Sequence, residues 1–332
     1  MDLYIDIENL KSFVHSKDKE GYDDCLRMLC RQLHLIYNSD KATIKLDEEL
    51  LPWVLKISNQ GRGNSENKDS YRSEKFPDRP IKSNSCKDWS RKELTSVYLI
   101  KDMDISKLKN RGCVLLGDEG EELEILTRLF CGSDYDYHHL YDLRKNFPSW
   151  EQLTDDNQLQ PCTDIVINDR YLFKNEESLV AYNLSCMLRA LANNVKNRIN
   201  VVIFTYYDSL KVFGIDKASK IVKQALESIT GVKPNVTFVT SNDSKNIPHD
   251  RFVITNYRLL RSGDSFVYFD TQGKLITNGG SLDVDSLANN ETFVFVESLL
   301  EKLQNSYNEI LKLNNSDLII GAKSSKFINF QE

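Results

Sequence analysis

The apolar positions change spacing several times along the chain, and each change marks an element. Over residues 1–10, Leu3, Ile5 and Ile7 alternate with Tyr4 and Asp6, which predicts a short strand. From about Tyr22, Cys25, Leu26, Leu29, Cys30 and Leu33 recur at helical spacing. Asp47 to Ile57 predicts a further helix, interrupted at Pro52. Residues 59–92 have hardly any aliphatic side chains and are dense in Gly, Pro, Ser, Asn and both charge signs. Such a stretch buries too little surface to order itself, so a long mobile loop is expected there. "SVYLI" and "GCVLLG" then read as buried strands, Glu121 to Phe130 as a helix, and residues 132–160 as a polar and aromatic connector. A domain boundary is expected near Pro161.

The second half is more regular. "TDIVINDRYLF", "INVVIFTYY", "NVTFVTS" and "DRFVITN" predict four strands rich in β-branched and aromatic residues. Helices are expected over "ESLVAYNLSCMLRALANNV" and over Lys217 to Thr230, the latter ended by Gly231. "SFVYFDTQGKLITN" suggests a hairpin around Gln272-Gly273, and a long helix closes the chain over roughly Glu291 to Leu313. The pattern predicts an α/β protein of two domains. Residues 1–160 form an α/β domain, and residues 161–332 form a mixed sheet with helices on its faces.

Composition narrows the function. The 332 residues carry a formal net charge of -6, which argues against a chain-wide nucleic-acid surface but leaves room for a local basic patch. The start, MDLYIDIENL, lacks the pattern of a signal peptide, and no run reaches the length of a membrane span. A cytoplasmic protein without a membrane span is therefore expected. Seven cysteines at scattered spacings predict free thiols, and the adjacent His138 and His139 point to different sides of any element. No metal site and no cofactor is expected; in particular there is no P-loop and no GxGxxG.

The candidate chemistry lies in the second half. Strand ends carry Asp169 with Arg170 and Tyr171, Thr205 with Tyr206, Thr240 with Ser241, and His249 with Arg251. Ligands of open α/β sheets bind at such an edge. "HDRFVITNYRLLRSGDS", His249 to Ser265, resembles the motif of the phospholipase D superfamily. His249 takes the place of its histidine, Arg251 of its lysine and Asn256 of its aspartate, with Gly263 in register and Ser265 one place late. "IPHDRFVIT" is similar to the version in the phospholipase D-like domain of the MIT-domain proteins, which is not catalytic. The resemblance covers about residues 161–285. It implies a phospholipase D-like fold in which the histidine attacks phosphorus, the cation holds the phosphate oxygens and the aspartate orients an imidazole. His249, Arg251 and Asn256 are thus the expected catalytic set. Arg251 and Ser265 are expected to contact phosphate, with Thr205 added from the neighbouring strand end. Arginine keeps the phosphate grip, whereas asparagine cannot stabilise an imidazolium. Active members use two copies of the motif, so with a single copy catalysis would require a homodimer.

The first half has a second pattern. "YIDIENL", with Asp6, Glu8 and Asn9, resembles the opening of the PIN/NYN ribonucleases, whose strand-end aspartate binds a metal ion. "GDEGEE", with Asp118, Glu119, Glu121 and Glu122, is similar to a later turn of that family, although its middle acidic motif is missing. Helix starts also favour acidic residues on electrostatic grounds alone.

The leading expectation is a phosphodiester-recognising protein with a degenerate phospholipase D-like domain. Nucleic acid is the expected ligand, with metal-independent nuclease activity if it is an enzyme and a homodimer or larger complex as its assembly. The Asn-, Lys-, Ile- and Ser-rich composition fits a low-GC bacterium or its mobile elements, which suggests defence against foreign nucleic acid. The alternative is a non-catalytic interaction subunit of a larger complex.

Overall fold

The computed structural model describes residues 1–37, 47–52, 55, 88–100, 108–132, 134–157, 160–193, 195–277 and 280–331. The predicted mobile loop lies outside them as far as residue 87. So do residues 53, 54, 56 and 57 of the helix expected from Asp47, of which residues 50–52 are helical, and the start of the link between "SVYLI" and "GCVLLG".

The chain is α/β and builds two sheets. The first is parallel, in the order β2-β1-β3-β4. Its strands are β1 (Asp2–Ile5), β2 (His34–Tyr37), β3 (Val97–Leu99) and β4 (Leu115–Gly117). Side-chain alternation sorts its two faces. Leu3, Ile5, Val97 and Leu99 face a core shared with α1 (Ile7–His15), α2 (Tyr22–Arg31) and α4 (Glu122–Thr127). On the other face Tyr4 stacks on Tyr98 with ring centroids 5.1 Å apart, beside Trp89, Leu94 and Leu116. The strand read over residues 1–10 is shorter than expected. Ile7 opens α1, because Leu10 and Phe13 follow it at three-residue steps and are fully buried. The last residues assigned to the mobile loop are also ordered. Ser90 and Glu93 form a capping box that starts α3 (Arg91–Leu94).

The second sheet is mixed, in the order β12-β8-β7-β6-β9-β10-β11-β5. Its parallel centre is β6 (Asp164–Asn168), β7 (Asn200–Thr205) and β8 (Asn235–Thr240). The antiparallel strands are β9 (Arg251–Ile254), β10 (Arg258–Ser262), β11 (Ser281–Ser286), β12 (Ile319–Gly321) and β5 (His138–Asp142). β5 comes from the stretch read as a connector, so sheet membership does not divide at Pro161. The region expected to form a hairpin around Gln272-Gly273 makes only a turn, with an isolated bridge between Phe269 and Leu275.

Both faces of this sheet are covered, which explains why its central strands are apolar runs rather than alternating ones. Ile165, Ile167, Val201 and Ile203 pack against α6 (Glu177–Ala192) and α8 (Ile215–Thr230), with α5 (Gln152–Asn157) alongside α6. Gly231 ends α8 in the left-handed conformation, φ 65°, as expected of a C-terminal cap. On the opposite face Val166, Val202, Phe204 and Phe252 meet Leu299, Leu300, Leu303 and Tyr307 of the long helix α9 (Asn290–Lys312). That core is continuous with the helix-covered core of the first sheet.

The turn between β9 and β10 fastens the two sheets together. Asn256 Nδ2 donates to the Leu94 carbonyl at 2.9 Å. Tyr257 Oη donates to the Ser96 carbonyl at 2.7 Å and accepts from the Leu115 amide at 2.9 Å. The fully buried Arg258 guanidinium donates to the carbonyls of Arg128, Leu129 and Phe130, just past the end of α4. A cation there satisfies carbonyls that have no helical partner and faces the negative end of the helix dipole.

Five cysteines, Cys25, Cys30, Cys131, Cys162 and Cys186, carry free thiols. Cys113 is disulfide-bonded, which corrects the expectation of free thiols throughout; scattered spacing does not reveal which cysteines meet in space. Among the described residues no helix is long and apolar enough to cross a membrane.

Candidate functional site

β6, β7 and β8 are parallel and β9 runs against β6, so three strand ends and one strand start share an edge. The edge therefore collects Asp169, Arg170 and Tyr171 after β6, Tyr206 after β7, and His249 with Arg251 at the start of β9. The loop carrying His249 is held by its backbone. Asn168 Nδ2 donates to the carbonyls of Pro248, at 3.1 Å, and Asp250, at 2.5 Å. Arg170 donates from Nε to the Ile247 carbonyl at 2.8 Å and from Nη2 to that of Ser244. The His249 and Asp250 side chains remain exposed at the tip of this clamped loop.

Arg251 lies inward of them. Its Nη1 donates to the Gly263 carbonyl, its Nε is 4.0 Å from Asp169 Oδ1, and its guanidinium sits 5.3 Å from the Tyr171 ring centroid. Asp169 is fully buried and accepts from Ser265 Oγ at 2.5 Å, Phe266 N at 3.1 Å and Tyr171 N at 2.9 Å. Burial pushes the Asp169 carboxyl above the usual carboxylate range, against these donors and the Arg251 charge. Ser265, expected to contact phosphate, is thus engaged with Asp169. Thr205 is buried, with its hydroxyl 3.4 Å from the Arg170 carbonyl it donates to.

Asn256 is elsewhere. It follows the far end of β9, is fully buried, and accepts at Oδ1 from the amides of Thr163, at 2.8 Å, and Asp164, at 3.3 Å. Its Nδ2 donates to Thr163 Oγ1 as well as to Leu94. The structure brings His249, Arg251, Ser265 and Thr205 to one edge and leaves Asn256 at the other.

Sequence reasoning noted Tyr171 and Tyr206 only as strand-end residues, beside Arg170 and Arg251, and missed Lys174. Lys174 Nζ lies 4.6 Å from the Tyr171 centroid and 5.6 Å from that of Tyr206, and Arg170 lies 5.5 Å from Tyr206. The two rings meet edge to face at 5.6 Å. Beyond them, Lys211 Nζ is 5.6 Å from the Tyr207 ring, both in α7 (Tyr207–Phe213). The available signal was spacing: Tyr171 with Lys174 and Tyr207 with Lys211 are three and four residues apart at helix starts. Half-buried rings flanked by cations can stack planar groups while holding anions.

The first-half carboxylates form a separate group. Glu122, buried at the start of α4, accepts from Asn9 Nδ2 and Ser12 Oγ, both at 2.9 Å, and from the Gly120 amide. Asp6 is buried after β1, Glu8 is exposed, and Glu121 pairs with Lys109. Among the described residues no three His, Cys, Asp or Glu side chains converge as a metal-binding group. Glu122 accepts from three donors, and the described carboxylates do not converge in the way the reading of "YIDIENL" would need.

Compared with known proteins, the chain matches no family model and no curated protein.

Proposed function

We propose that the chain recognises phosphodiesters, with single-stranded nucleic acid as the ligand, at the edge formed by Tyr171, Lys174, Tyr206, His249 and Arg251. The observation that carries this reading is the pair of half-buried tyrosine rings with Lys174 and Arg251 within 5.6 Å of their centroids. Aromatic faces receive bases of any sequence, and the cations follow the backbone. The phospholipase D-like resemblance supports the same ligand class. Recognition is favoured over hydrolysis, because among the described residues His249 has no carboxylate hydrogen-bonded or ion-paired to it, and Asn256 is remote. Hydrolysis would need the His249 of two chains brought together. A role in bacterial defence against foreign nucleic acid rests on composition alone.

Binding of a labelled single-stranded oligonucleotide, followed by fluorescence anisotropy, tests the reading. Weakened binding by Tyr171→Ala and Lys174→Ala supports it. Unchanged binding, or none by the parent chain, overturns it and leaves the interaction-subunit reading. Cleavage abolished by His249→Ala would extend the reading to an enzyme.

A further inference from the structure

The opposite edge of the second sheet, where β6, β7 and β8 begin, carries two adjoining clefts of about 420 Å³ each. Arg198 and Asn235 line both, so the clefts share a wall. Lys223 and Lys233 complete the cationic lining of the first, and Lys323 and Lys326 that of the second. Arg198, Lys233 and Lys323 are exposed, and none of Arg198, Lys223, Lys233 and Lys323 makes a side-chain ion pair among the described residues. Asp216 is the exposed acid in the first cleft; in the second the acid is buried. Unpaired cations converging on concave surface in a chain of net charge -6 point to an anion.

The second cleft is also a built site. Its floor is a ladder across the first residues of three neighbouring strands, in register Asp164–Asn200–Asn235. Asn235 Nδ2 donates to Asn200 Oδ1 at 2.8 Å, and Asn200 Nδ2 donates to Asp164 Oδ1 at 3.2 Å. Ser324 Oγ donates to Asn200 Oδ1 at 3.1 Å, and Ser325 Oγ to Asp164 Oδ1 at 3.0 Å. Asp164 is fully buried, and its Oδ2 has no hydrogen-bond partner among the described residues. Burial raises the Asp164 carboxyl above its ordinary value. The Phe330 ring adds an apolar wall. Fixed amides and hydroxyls, an apolar ring and a cationic rim suit a ligand that is more than bare phosphate.

We propose that the two clefts form one binding site for a nucleotide carrying two phosphate groups, of the nucleoside diphosphate or dinucleotide class. The phosphates lie against Arg198, Lys323 and Lys233, and the nucleoside lies over the Asn200–Asn235 floor beside Phe330. This site does not depend on the Tyr171 edge.

Isothermal titration of the full chain with ADP, inorganic pyrophosphate and a short single-stranded oligonucleotide tests it. ADP is expected to bind, and Arg198→Ala combined with Lys323→Ala is expected to weaken it by about tenfold or more. Arg251→Ala and Tyr171→Ala are expected to leave ADP binding unchanged while weakening the oligonucleotide at the other edge. An oligonucleotide that competes with ADP and shares its dependence on Arg198 supports the site and makes a polymer the source of the paired phosphates. Absence of ADP binding, or binding indifferent to the Arg198 and Lys323 changes, overturns the proposal. Pyrophosphate bound as tightly as ADP overturns the nucleoside part of it. Both replaced side chains are exposed, so an unchanged melting temperature verifies that the variant is folded.

Discussion

His249 and Asn256 stand at opposite ends of one strand: the first is exposed on a clamped loop, the second is buried against the first sheet. Seven steps along largely extended chain separate them by roughly 20 Å. Asn256→Ala is expected to destabilise the chain by about 2–4 kcal/mol, because it strands the buried amides of Thr163 and Asp164 and the Leu94 carbonyl. His249→Ala is expected to stay within about 0.5 kcal/mol of the parent. Urea unfolding of both variants checks the pair; equal effects would contradict the separation of their roles.

At the Tyr171 edge, the expected losses of affinity for a single-stranded oligonucleotide are about 1–3 kcal/mol for Tyr171→Ala. Lys174→Ala is expected to act chiefly through charge, reducing the slope of log affinity against log salt by about 0.7, the value for one phosphate contact on a single strand. Titrations at several salt concentrations separate the two effects. A Lys174→Ala variant with an unaltered salt slope would count against a phosphate at that position.

Arg258 provides a sharper test of how the halves are joined. Arg258→Met keeps the buried stem but leaves the carbonyls of Arg128, Leu129 and Phe130 without their donor. A loss of about 3–5 kcal/mol is expected. Arg258→Lys is expected to recover little of it, because one ammonium cannot reproduce the planar fork. Full recovery by lysine would show that charge alone matters there.

Asp164 carries a pH signature. Burial raises its carboxyl above 3.8, so the folded chain holds that proton more tightly than the unfolded chain does. The associated stability is present below the unfolded value and is lost as pH rises through the folded value. Asp164→Asn keeps an acceptor oxygen for Asn200, Ser325 and the Lys326 amide but has no proton to lose. Relative to the parent, the variant is expected to gain stability as pH climbs from about 4 toward neutrality. Unfolding midpoints measured at stepped pH check this, and a difference that stays flat would refute it.

The central strands β6, β7, β8 and β9 were legible because burial on both faces demands uninterrupted β-branched and aromatic runs, and "DIVIN" or "VVIFT" satisfy no other element as well. β5 was not: "HHLYD" is an edge strand, half exposed and mostly polar, and only its long-range pairing with β11 makes it a strand. α1 was hidden because it starts one residue after β1 ends, within what reads as one alternating run. The shared edge of the candidate site followed from polar residues at strand ends. The part played by Asn256 did not, since a motif's spacing gives residue types in order but not which end of a strand each one serves.

The turn from Thr255 to Arg258 has a thermodynamic consequence. A fragment beginning at Pro161 would lose β5 from its sheet edge and open the core that the two sheets share. It would also carry the buried donors of Asn256, Tyr257 and Arg258 with their acceptors cut away. Two sheets that share a core and a bonded turn in this way are expected to melt together, so that heat or denaturant would meet a single cooperative unit.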